Sequence, residues 1–418
     1  MQNAALRRER WIVAHPVLVF VIFGAVYLGM ILGRFPRLAL DRTGIVLLGA
    51  IVLLETGAVS LGEGNSGIDI PTILLLFSFM IISAQFRLGG FYTKVSRRMA
   101  ELALPPELLL GVVIFTVGLL SALLTNDIVC LAMTPVLGWG CLRRGYNPLP
   151  FLLALACASN IGSALTLIGN PQNMLIGEYL SLSFRSYTLF AAFPVGLSLV
   201  FLWGVLLLLF RGKWRLETGE IVLPEEHPFN GWQTFKGCLV LAVVVALFLF
   251  SSLPRDLTAL GGAGVLLLSR KMASRRTLEL VDWQLLILFL GLFVVNRGFE
   301  AAGGLNMLEN FLRSSGISLA SPLWLYGVTT GLSNLVSNVP GVMLLLPLVR
   351  DIPGAGEMLA LSSTFAGNLL LLGSIANIIV AGEAERMGIS LNWKEHARAG
   401  IPVTLGSLGA GLLGLFFF

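Results

Sequence analysis

Charge is what this chain is short of. Only 12% of its 418 residues are Asp, Glu, Lys or Arg, whereas 56% are hydrophobic, and mean hydropathy is +0.86. A soluble domain carries about 25% charged residues, so no sizeable soluble domain is expected. Cysteine is sparse as well. Cys130, Cys141, Cys157 and Cys238 form no CxxC pair and lie in or beside apolar runs, which speaks against a disulfide framework or a zinc site and for buried packing. Histidine is limited to His15, His227 and His396, all near span ends or in loops, so no histidine-based catalytic set is expected. GxxxxGK[ST], HExxH and GxSxG are all absent. That removes a P-loop ATPase and the common hydrolase routes, and with them the expectation of an enzyme, a cofactor or a metal. The net charge of +5 needs no nucleic acid, because basic cytoplasmic loops facing anionic lipid account for it.

What is present is a series of apolar runs near the length of about 20 residues that a spanning helix needs. They cover 15–33, 43–61, 70–87, 108–142, 149–177 and 187–210, then 233–252, 257–270, 283–298, 322–349, 357–381 and 400–418. The first run follows Arg7, Arg8 and Arg10 like a signal peptide. Arg34-Phe35-Pro36-Arg37 stands where a small-residue cleavage site belongs, so a retained helix is expected. The division is a first repeat at 1–210, a cytoplasmic linker at 211–232 and a second repeat at 233–418.

Two kinds of interruption organise the pattern. Thr125-Asn126-Asp127 is a polar knot inside 108–142, and Ser337-Asn338-Val339-Pro340 repeats it in 322–349. Ser163 through Gly169-Asn170-Pro171-Gln172-Asn173 breaks the next run, and Asn368 through Gly373-Ser374-Ile375-Ala376-Asn377 breaks its sister. Asp69 lies 213 residues before Asp282, Asn126 lies 212 before Asn338, and Gly169 lies 204 before Gly373, offsets constant enough for duplication. Polar, Gly- and Pro-broken backbone at membrane depth survives only against protein or a water-filled cavity. Matching breaks in two halves mark a transporter's substrate site. The fold expected is an all-α polytopic membrane protein of two inverted repeats. Each has about five transmembrane helices, one re-entrant hairpin and one broken helix.

Twenty basic residues, including Arg87, Lys94, Arg211 and Lys213, fall on one face. Eight fall on the other: Arg7, Arg8, Arg10, Arg185, Arg255, Arg297, Arg313 and Arg350. The bias puts the first face in the cytoplasm and both termini outside, although the three N-terminal arginines pull the other way.

Thr125, Asn126, Asp127, Ser163, Gly169, Asn170, Asn173, Ser337, Asn338, Val339, Asn368, Gly373, Ser374 and Asn377 form the expected substrate and ion site. Asparagine offers donors and acceptors without fixed charge, and helix N-termini at the breaks favour an anion. No Lys or Arg lies in these motifs. A single Asn reads equally well as a cap or an interhelical bond; four at repeat-related positions read as a site. Asp127 and Glu55 are the acidic residues placed inside spans and the candidates for proton coupling. For Asp127 the alternative is a cap on the returning helix, and for Glu55 a structural pairing. A channel is the competing class, since selectivity filters also use broken helices.

Leu124-Thr125-Asn126-Asp127 followed by Thr134-Pro135, Asn160-Ile161-Gly162-Ser163, Ile168 through Asn173, and their second-half counterparts resemble motifs of the ion transporter superfamily. The likeness is to its arsenical-pump and citrate-transporter-like permeases. The resemblance implies a carrier whose hairpin tips and broken helices enclose substrate and coupling ion. Sodium-coupled carboxylate carriers of that superfamily have Ser-Asn-Thr at both tips. Asp127 and Val339 depart at the third position, which favours H+ over Na+. The implied substrate is a small inorganic solute or anion, arsenite or antimonite first, with di- or tricarboxylates second and sodium/proton antiport third. Cys130 and Cys157 lie near the site, where packing remains their reading. The resemblance further implies a bacterial or archaeal plasma (inner) membrane, a cytosolic arsenite-stimulated ATPase on the basic loops, and a homodimer.

Overall fold

The computed structural model describes residues 16–33, 39–60, 67–216, 229–269 and 272–416. Apart from isolated bridge residues at Asp41 and between Tyr146 and Arg215, every regular element among them is a helix. The first half runs α1 (Pro16–Leu32), α2 (Arg42–Glu55), α3 (Ile70–Leu88), α4 (Phe91–Glu101), α5 (Pro106–Leu123), α6 (Asn126–Arg143), α7 (Leu149–Ser163), α8 (Pro171–Tyr179) and α9 (Phe184–Leu209). The succession then recurs as α10 (Gly231–Phe250), α11 (Arg255–Leu267), the short α12 (Ser274–Leu278), α13 (Trp283–Ala301), α14 (Gly304–Ser314), α15 (Pro322–Val336), α16 (Asn338–Val349), α17 (Ala355–Ala366), α18 (Ile375–Arg386) and α19 (Trp393–Gly414), with a 3-10 turn at Leu371–Gly373.

Equivalent residues start equivalent helices. Asp69 Oδ1 accepts from Thr72 N at 3.1 Å to cap α3, and Asp282 Oδ1 accepts from Leu285 N at 2.9 Å to cap α13. At the far ends of these helices Gly90 and Gly303 take φ of 70° and 81°, a left-handed turn that glycine makes without a steric cost. Each turn feeds an amphipathic helix, α4 or α14. The apolar-run pattern did not anticipate this pair, because a helix lying half in water has no long apolar run.

The two knots are hairpins. α5 is 18 residues long and apolar enough to cross a membrane, yet its chain reverses at Leu124-Thr125. There Asn126 N donates to Gly169 O, in the middle of the next broken helix, at 3.3 Å. The tip therefore stops at the depth of the break, and the hairpin is re-entrant. α5 packs along α7, with Gly162 lying directly on the backbone of Gly118, so that a Cβ there would fall on the Gly118 carbonyl.

The halves interlock. α2 packs against α13 of the other half, and α3 against α11. At the centre α9 packs along α19, with Gly406 facing Phe201 and Gly414 facing Pro194. Equivalent helices thus run antiparallel, as inverted repeats require.

Two boundaries differ from expectation. α2 ends at Glu55, which is exposed and at the helix terminus rather than inside a span. α19 starts at Trp393, well before residue 400, because Asn392 and Glu395 form a capping box. Asn392 Oδ1 accepts from Glu395 N at 3.1 Å while Glu395 Oε2 accepts from Asn392 N at 3.1 Å. The box carries charged residues into helix, and with them His396, which is fully buried rather than in a loop. His15, His227, Arg7, Arg8, Arg10, Arg34 and Arg37 lie outside the described residues, as does 217–228 of the linker.

Candidate functional site

The two broken helices face each other, and each is held by a polar side chain from the helix before the other break. Asn160 on α7 is the hub. Its Nδ2 donates to Asn368 Oδ1 at 2.9 Å and to Asn377 Oδ1 at 3.0 Å. Its Oδ1 accepts from Ser374 Oγ at 2.9 Å and from Asn126 Nδ2 at 3.2 Å. One amide therefore joins the first hairpin tip to three residues of the second break.

The residue 204 positions on, Thr364 of α17, does the reciprocal work. Its Oγ1 donates to Asn173 Oδ1 at 3.2 Å and accepts from Asn170 Nδ2 at 3.2 Å and Gln172 Nε2 at 3.4 Å. All these groups are at most 6% exposed, where an unmade hydrogen bond costs about 1–3 kcal/mol. The breaks are themselves capped alike. Asn170 Oδ1 accepts from Asn173 N at 2.9 Å at the start of α8, and Ser374 Oγ accepts from Ala376 N at 3.2 Å at the start of α18. Ser163 Oγ takes Asn170 Nδ2 at 2.9 Å. Gly169 lies so close to Ser163 and Ser121 that a side chain would strike their carbonyls, and a Cβ on Gly373 would meet Asn334 Oδ1 at 2.7 Å.

The last helix of each half closes the site. Tyr187 OH on α9 donates to Ala164 O at 2.7 Å and accepts from Asn173 Nδ2 at 3.2 Å. His396 Nε2 on α19 lies 3.0 Å from Asn368 O and 3.5 Å from Asn377 Nδ2.

The tips are unlike. Thr125 Oγ1 bonds Ser83 Oγ at 3.1 Å, and Asn126 is fixed to Asn160, so the first tip is docked. The second carries Ser337 at φ 82° and ψ 159°, backbone that is essentially confined to glycine. Asn338 lies over Gly367, and Val339 is buried beside it. The Oδ1 atoms of Asn126 and Asn338, 212 residues apart, are both buried and both without a donor among the described residues.

Asp127 is half-buried in the first turn of α6 and makes no hydrogen bond or ion pair among the described residues, so it does not cap that helix through its side chain. Glu55, exposed at the end of α2, joins none of these bonds. Cys130 Sγ lies 3.0 Å from Ser159 Oγ, and the Cys157 carbonyl accepts from Asn368 Nδ2 at 3.3 Å, with both thiols buried. A cavity of about 410 Å³ opens beside the second hairpin, lined by Asp69, Tyr179, Asn296, Arg297 and Glu300 among others. Burial pushes the carboxyl of Asp69 up there, against the pull of its bonds with Thr72.

Asn160, Thr364, Tyr187 and His396 were not among the expected site residues. Asn160 stood in a motif already singled out, whereas Thr364, one turn before the second break, and Tyr187, at the edge of its apolar run, did not. The signal for Thr364 is the repeat offset, which pairs it with Asn160.

A family model described as citrate transporter matches residues 18–358. A 46 kDa membrane protein of Mycobacterium leprae is 28% identical, over 96% of this chain and 98% of that protein. The silicon efflux transporter LSI3 of Oryza sativa subsp. japonica is 27% identical, over 94% and 96%. A transporter named arsB in Dictyostelium discoideum is 23% identical, over 88% and 86%. The crystal structure of the Alcanivorax borkumensis YdaH transporter superposes with a TM-score of 0.60 at 15% identity, covering 96% of this chain and 98% of that one.

Proposed function

Because the chain belongs to the citrate transporter family, within the ion transporter superfamily, and is an integral membrane transporter, we propose that it is a secondary carrier exporting arsenite or antimonite in exchange for protons. The observation that carries this reading is the pair of unpartnered acceptors, Asn126 Oδ1 and Asn338 Oδ1, on the two tips. Acceptors without donors suit a solute that brings O–H groups. Arsenite near neutral pH is an uncharged trihydroxide, whereas an ionised carboxylate brings acceptors only. No lysine or arginine joins the network to balance a polyanion. The relatives named for silicon efflux and arsB support the same class, since dissolved silicon is also an uncharged hydroxide.

In this reading the solute sits between Thr125, Asn126, Ser337 and Asn338 on the tips and Asn170, Asn173, Ser374 and Asn377 at the breaks. Asp127, unpaired beside Asn126, takes the proton. The boundaries 1–210 and 233–418, which rest on the run pattern and the repeat offsets, belong to the same proposal, as do a plasma-membrane location in a bacterium or archaeon, a docked ATPase and a homodimer, which rest on the resemblance. The test is arsenite accumulation in everted membrane vesicles with and without an imposed proton gradient, against citrate and sodium controls. Gradient-dependent arsenite uptake supports the proposal. Sodium-stimulated citrate uptake without arsenite movement replaces it with carboxylate carriage, the reading that the family model's own description favours.

A further inference from the structure

Residue 187 stands to the first break as residue 396 stands to the second. Each is the fourth residue of its helix, α9 or α19. Each reaches one carbonyl and one asparagine amide. For Tyr187 these are Ala164 O at 2.7 Å and Asn173 Nδ2 at 3.2 Å; for His396 they are Asn368 O at 3.0 Å and Asn377 Nδ2 at 3.5 Å. The offset of 204 that pairs Gly169 with Gly373 also pairs Ala164 with Asn368 and Asn173 with Asn377. Each break is thus tethered to the last helix of its own half by one aromatic side chain in one geometry. The tethers differ only in chemistry: a phenol in the first half, an imidazole in the second.

The carbonyl of Asn368 accepts from Nε2, which puts the ring hydrogen there and leaves Nδ1 bare. Nδ1 is buried and has no partner among the described residues. α19 lies hard on the same carbonyl, because a side chain on Gly400, one turn further, would strike Asn368 O. Among the described residues, the elements packed against α19 supply no counter-charge. The titratable groups on the elements packed against α19 are Cys157 on α7, Arg185 and Tyr187 on α9, Tyr326 on α15 and Glu357 on α17; the 3-10 turn has none. Of these, Arg185 is exposed, Tyr326 lies at Gly411 and Glu357 acts on Tyr187, both at the other end of the bundle. α18, which carries Asn377, ends in Glu383, Glu385 and Arg386, with Glu383 and Arg386 paired to each other. On α19 itself Lys394 and Arg398 are exposed and Glu395 is turned back onto Asn392.

We propose that His396 is the positioning residue of the second broken helix and the group through which that helix responds to protons, a response that Tyr187 cannot give to the first. The neutral ring holds the Asn368 carbonyl through Nε2–H and lies against Asn377, where Asn160 meets both. A proton arriving at Nδ1 places an unpaired charge in a buried site, pulls the ring toward water and slackens the second break while the first stays fixed. The inference rests on the carrier reading but not on arsenite as the solute.

The experiment compares wild type, His396→Ala, His396→Gln and Tyr187→Phe in two assays between about pH 5.5 and 8.5, either side of the ordinary histidine value. The first is thermal unfolding of purified protein without any solute, and the second is arsenite and citrate exchange in proteoliposomes. His396→Ala lowers exchange by about tenfold, the worth of one buried hydrogen bond. His396→Gln, which keeps an N–H for Asn368 O, restores most of that loss. Wild type and Tyr187→Phe lose melting midpoint and exchange toward acid more steeply than His396→Gln, whose remaining pH dependence is that of the proton-coupled exchange itself. Parallel pH profiles for wild type and His396→Gln overturn the proton response, and an Ala variant with wild-type midpoint and exchange overturns the positioning role. If neither solute moves in wild type, the substrate reading fails, and the melting profiles alone decide His396.

Discussion

Asn160 and Asn368 are 208 residues apart in sequence and 2.9 Å apart in space, amide to amide. The bond crosses between repeats, and Thr364 with Asn173, at 3.2 Å, makes the reciprocal one. Each break is therefore held by the opposite half, so movement of either half is felt at both.

Asn160→Ala removes the partner of four polar groups and leaves the Oδ1 atoms of Asn368 and Asn377 unpaired. At about 1–3 kcal/mol for each orphaned group, vesicle uptake is expected to fall by roughly two orders of magnitude and the melting midpoint to drop. Thermal unfolding and uptake, measured on the same preparation, check this. Wild-type uptake would show that the hub is dispensable.

Asp127→Asn keeps the volume of the tip and removes its only carboxylate. Since Asp127 makes no bond or ion pair among the described residues and caps nothing through its side chain, the variant is expected to fold normally and to lose gradient-driven transport. Flux at several imposed pH differences is the measurement, and an unchanged dependence takes the proton role away from this residue.

Gly162→Ala sets a methyl group against the backbone of Gly118. Backbone cannot yield as a flexible side chain does, so a loss of several kcal/mol in stability is expected, on the order of the larger overpacking costs. Gly196→Ala on α9 meets nothing within 4 Å and should gain up to about 1 kcal/mol from helix propensity. Their melting midpoints should move in opposite directions.

Ser337→Gly relieves a backbone held at φ 82° and ψ 159°. A gain on the order of 1–3 kcal/mol is expected, read as a higher melting midpoint. Ser337→Ala, which keeps the Cβ, should show none of it. If both variants behave alike, the side chain rather than the backbone matters there.

Much of this was legible in the chain itself. The repeat of knots and breaks follows from the spacing of Asn126 and Asn338 and of Gly169 and Gly373, because polar residues inside apolar runs have few bland explanations at membrane depth. The amphipathic α4 and α14 were not legible as apolar runs, though Gly90 and Gly303 mark both starts. His396 was misplaced because Lys394, Glu395 and Arg398 dilute the apolar run, whereas the capping box at Asn392 and Glu395 was the better signal. Glu55 was placed too deep because α2 stops short of its apolar run. Tyr187 stands beside Arg185, Ser186 and Thr188, and Thr364 beside Ser362 and Ser363, so nothing in composition singles out their two hydroxyls.

The crossing of partners between halves also sets a timetable for biogenesis. Val46 on α2 lies over Gly291 on α13, and the ribosome reaches α13 only after some 230 further residues, on the order of ten to fifty seconds of synthesis. Until then α2 lacks α13, and α3 waits for α11, which follows the linker. A ribosome that stops in the linker therefore releases α2 and α3 with only first-half partners such as α1, α4 and α8 to pack against. Such nascent chains should cross-link to the insertion machinery long after their own spans have cleared the exit tunnel.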